Sequence, residues 1–75
     1  MTLHDKAAIE SAIGAARYLL DRAQQSVNDA WKLLIENAEY YCNEELCEAS
    51  RDIREASEQI SSTALYLKEN YNDVH

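Results

Sequence analysis

IESAIGAARYLLDRAQQSVNDAWKLL, residues 9–34, is the stretch that decides the fold. Apolar residues recur in it at Ile9, Ile13, Ala16, Leu20, Ala23, Val27, Ala30 and Leu34, in alternating steps of four and three. Nearly four heptads in unbroken phase mark a helix that packs along its length against another helix. One row of the seam is large (Ile13, Leu20, Val27, Leu34) and, after Ile9, the other is small (Ala16, Ala23, Ala30). Such a surface needs a partner with the opposite alternation.

The second half of the chain supplies it. Leu46, Ala49, Ile53, Ala56, Ile60, Thr63, Leu67, Asn70 and Val74 again step by threes and fours. Folding the two halves antiparallel, with facing residue numbers adding to 83, pairs Leu34 with Ala49, Ala30 with Ile53 and Val27 with Ala56. The same rule pairs Ala23 with Ile60, Leu20 with Thr63 and Ala16 with Leu67. Each layer then holds one large and one small residue, which keeps layer volume constant.

Thr2 and Asp5 form a capping box that starts helix 1 near Leu3. Helix 1 is expected over about 3–41 and a turn at about 41–43. There Asn43 serves as N-cap, with Glu44 and Glu45 in the first turn of a helix 2 running to about 72. A three-helix bundle is the alternative, with Ser26 and Asp29 as a second capping box; the phase held through Val27 argues against it. The fold class is all-α, one domain over 1–75, a two-helix coiled-coil hairpin. Ala12, Leu19, Leu33, Tyr40, Trp31, Ile35, Tyr18, Leu65, Tyr66 and Tyr71 lie off the narrow seam. A lone hairpin leaves them wet, so two hairpins are expected to dock as a homodimeric four-helix bundle.

Composition narrows the function. The chain has no Pro, one Gly and no Phe, and a formal charge of -7. That charge disfavours direct binding to nucleic acid or to an anionic membrane. No apolar run has the length of a membrane span, residues 1–6 lack the pattern of a signal peptide, and the expected compartment is the cytoplasm. Cys42 and Cys47 form a C-x4-C spacing with the only histidines, His4 and His75, at the far end of the hairpin, so no metal site or cofactor is expected. No nucleophile, base and orienting group cluster, and the chain is not expected to be an enzyme.

The acids are placed unevenly. Residues 1–37 carry five acids against four bases, and residues 38–75 nine against three. Glu45, Glu48, Asp52 and Glu55 step 3, 4, 3 and share a helix face near the turn. Their bland role is a solvated face, relieved by Arg51–Glu55 and Arg54–Glu58 pairs. Their sharper role is a docking surface for a basic partner, with Trp31, Tyr40 and Tyr41 as aromatic anchors. The expected function is therefore a small acidic protein-binding module, an inhibitor or adaptor that occludes a basic surface. One alternative is a nucleic-acid-mimicking inhibitor of the phage anti-defence type, its carboxylates imitating a phosphate backbone. Another is a binder of a small molecule or nucleotide messenger at a groove between subunits.

Overall fold

A computed structural model describes residues 2–71, with Tyr71 as backbone only. It holds two helices and, among the described residues, no strand: α1, Leu3–Ile35, and α2, Glu39–Tyr71. They pack antiparallel into a rod of 53 × 18 × 17 Å. The capping box forms as expected. Thr2 Oγ1 accepts from the Asp5 amide at 3.1 Å, and the Thr2 amide donates to Asp5 Oδ2 at 3.4 Å. α1 runs unbroken through Ser26, Asn28 and Asp29, so the three-helix alternative falls. Val74 and His75 lie outside the described residues.

The turn is Glu36–Ala38, not 41–43, and Asn43 sits inside α2 rather than capping it. The reason is local. Asn37 takes φ 62°, the left-handed conformation that Asn tolerates better than most residues. Its amide donates to the Leu34 carbonyl at 3.0 Å, and the Ala38 amide reaches back to the Leu33 carbonyl at 2.8 Å. These two bonds make a Schellman ending, which satisfies carbonyls that the end of α1 leaves orphaned. The Cys42 amide donates to the Ala38 carbonyl at 3.0 Å, so α2 begins at once. Asn37→Ile should lower stability by about 1–2 kcal/mol, the cost of forcing a branched residue into this conformation; a urea midpoint at fixed protein concentration checks it.

The earlier turn shifts the pairing. Ala16 and Ile13 line one cleft together with Ile60 and Thr63. Arg22 of α1 reaches Asp52 of α2, so facing residue numbers fall near 74–76 rather than 83.

Burial corrects the seam itself. Ala16, Ala23 and Ala30 of α1 are buried against Cys42, Ala49 and Ala56 of α2. The second row that faces α2 is Ala12, Leu19 and Leu33, all half-buried, together with buried Ser26. The large row Ile13, Leu20, Val27 and Leu34 is instead exposed, as are Leu46, Ile53 and Ile60. Small residues at the crossing let the two backbones approach, and the long side chains one position further round are pushed to the flank. Among the described residues, no large side chain is fully buried.

Candidate functional site

The exposed rows of the two helices lie on the same flank of the hairpin. Near its open end they enclose a cleft of about 280 Å³, with Ile13 and Leu20 on one wall, Ile60 and Leu67 on the other, and Ala12 and Ala16 on the floor. Heptad spacing carries the walls on through Val27 and Leu34, and through Ile53 and Leu46. Apart from half-buried Leu67, exposure along them runs from 42% at Leu20 to 55% at Leu34. Ile13 to Leu34 spans 21 residues of α1, or about 31 Å at helical rise. This is a long apolar groove with a floor of small residues. Arg17 and Ala64 sit at its rims.

The acids stand on the other flank. Glu45 and Asp52 occupy the helix row on the opposite side of Ala49 and Ala56 from Leu46 and Ile53. Glu45 is half-buried and lines a shallow cleft with Asp29, Lys32, Leu33 and Glu36. Glu48 and Glu55 are exposed one row further out. Asp52 corrects the expectation that the whole carboxylate row clears the packing, because it is only 6% exposed, pressed between the helices. Its Oδ2 lies 3.6 Å from Arg22 Nε and has no hydrogen-bond partner. Among the described residues this is the ion pair that closes, rather than Arg51–Glu55 or Arg54–Glu58. Arg22 also lies 5.8 Å from the centre of the Tyr18 ring, on the same exposed surface of α1.

A buried carboxylate short of donors is an expensive group. Arg22→Ala should lower stability by about 1–3 kcal/mol, because it strands that charge. Asp52→Leu should leave stability unchanged or raise it by about 1–2 kcal/mol, as removal of a buried ionic group often does. Chemical denaturation of both variants at one protein concentration checks the opposite signs.

The aromatic candidates do not converge. Trp31 is 67% exposed and, at helical spacing from Val27 and Leu34, borders the apolar groove. Tyr40 and Tyr41 are both exposed at the start of α2, edge to face with centroids 5.3 Å apart. They belong to the back and to the acidic flank, so an anchor ringed by carboxylates is not assembled from all three. Cys42 is buried and Cys47 exposed, and both are free thiols. Among the described residues, no group of three or more potential ligands is placed to hold a metal ion.

A second cleft, of about 380 Å³, lies at the open end between His4, Asp5 and Ile9 of α1 and Gln59, Ser62 and Tyr66 of α2. Sequence spacing missed it because its polar residues come from opposite ends of the chain. No described helix is long and apolar enough to cross a membrane. Comparison of the chain with protein-family models, curated proteins and solved structures returned no match to any of the three.

Proposed function

We propose that this chain is a protein-binding module: two hairpins close their apolar grooves on each other as a four-helix bundle, and the acidic flanks dock on a basic surface of a partner protein. It acts as an inhibitor or adaptor by covering that surface, with no chemistry of its own. The observation that carries this is the segregation of the two flanks. An acidic chain with charge -7 lines one flank with the exposed aliphatic rows Ile13, Leu20, Val27 and Leu34 of α1 and Leu46, Ile53 and Ile60 of α2, and carries Glu45, Glu48, Asp52 and Glu55 on the other. The groove gives assembly, and the carboxylates give steering toward positive charge.

The face that carries the groove is at most 18 Å across the rod and about 31 Å long. That is a projected patch of about 560 Å², short of the ~800 Å² that each partner contributes to a standard protein interface, and the rims of the groove add to it. A hairpin whose buried residues are mostly Ala has little core of its own, so docking supplies the burial that the monomer lacks. The cytoplasm is the compartment that free thiols suit.

Sedimentation should give twice the chain mass of 8.6 kDa, and the thermal midpoint should rise with protein concentration. Capture from a lysate at low salt should bring down a basic protein that elutes as salt screens the carboxylates over ~8 Å. Glu48→Gln with Glu55→Gln should slow that association and leave the sedimentation mass unchanged. A monomer mass with a concentration-independent midpoint would overturn the bundle. A captured partner indifferent to salt and to both Gln changes would overturn the acidic docking face, and with it the nucleic-acid mimic. The open-end cleft favours a second proposal, a small-molecule site, which a ligand-induced rise in thermal midpoint lost in Tyr66→Ala would support.

A further inference from the structure

Resting on the proposed four-helix bundle, we infer that the two hairpins associate with their turns at the same end, so that α1 of one copy lies antiparallel to α2 of the other. The occupant of the groove is thus a second copy of this chain, in one of two possible orientations. The opposite orientation, turns at opposite ends, would set α1 against α1 and α2 against α2.

The rims of the groove choose between them. On α1 the row beside the groove holds Arg17, Gln24 and Trp31. On α2 the matching row holds Asn43, Ser50 and Ser57. All six side chains are exposed in the hairpin. With turns together, the rows meet at the same levels as inside the hairpin, and Arg17 faces Ser57, Gln24 faces Ser50 and Trp31 faces Asn43. Each level pairs long with short, and helix spacing stays even around the bundle. With turns apart, long meets long along one edge and Ser50 and Ser57 meet a second small row along the other. One pair of helices is then forced wide while its neighbour closes.

Charge agrees. Within the hairpin, Arg22 and Asp52 stand level and pair at 3.6 Å. The next row outward from each rim carries Asp21 on α1 and Arg54 on α2, both exposed. With turns together these two stand level across the new interface, once on each side of the two-fold axis. With turns apart they do not meet.

Spin labels at Glu36→Cys, in a Cys42→Ala and Cys47→Ser background, read the orientation. Turns together place the labels within about 30 Å, a few times the 8–10 Å helix spacing. Turns apart place them near the 53 Å length of the rod, and that distance in a sedimenting dimer would overturn the inference while leaving the bundle intact. A monomer mass would overturn both. Independently, Asp21→Arg or Arg54→Asp alone should weaken dimerisation about three- to tenfold, and the two together should restore it. A double exchange no better than the product of the single changes would also overturn the inference.

Discussion

Leu20→Asp together with Ile53→Asp should weaken association by at least about a thousandfold and melt most of the helix at micromolar concentration. Both side chains line the groove and are between two-fifths and half exposed in the single hairpin. Each loses about 1.5–3 kcal/mol of burial, twice over in a dimer. Carboxylates placed there would have to enter an apolar interior without partners, which costs several kcal/mol more. The released monomer keeps a core of alanines, too little to hold 33-residue helices in place. Sedimentation and far-ultraviolet circular dichroism read the two losses separately. Glu58→Asp, on the back of α2, should change neither. If the double variant stays helical and keeps its mass, the groove is a solvated surface.

Overpacking at the hairpin crossing should have the other large effect. Ala56 is fully buried and Ala23 nearly so. Ala56→Leu should lower stability by about 1–3 kcal/mol, and Ala23→Leu by a similar amount, because close backbones leave no room for three further carbons. The two residues are near neighbours in the seam, so the double variant should depart from additivity. Ala64→Leu, at the exposed rim, should cost less. Denaturation curves at matched protein concentration give the comparison. No loss at either buried alanine would mean that the helices do not cross closely there.

The heptad was legible modulo seven and not in absolute register. Ile13, Leu20, Val27 and Leu34 against the alanines gave the alternation, and an alternation that repeats every seven residues fits more than one pairing sum. Nothing in a repeating pattern chooses between them; the turn does. Two local signals competed for it, Asn37 as a helix end and Asn43 with its acids as a helix start. The left-handed Asn37 with its two back-reaching amides won. The seam misled in a second way. Large side chains attract assignment to a core, but here Ala and Ser take the crossing, and the large row stays exposed on the flank. Asp52 was the least legible residue. A carboxylate between Arg51 and Ile53 reads as solvated, and its burial follows from a register that spacing alone did not give.

The heptad repeat also makes the hairpin a ruler. Its small residues recur every seven positions, so seven residues removed from each helix, or seven added, shorten or lengthen the rod by about 10 Å and keep the phase of the crossing. Growth or loss of matched heptads is then a nearly neutral path for such a gene, and single-residue insertions are not. The distance between the tip and the open end can change by lineage while the packing of α1 on α2 stays the same. The Arg22–Asp52 pair is a notch on that ruler, a charged level in a crossing made mostly of alanines.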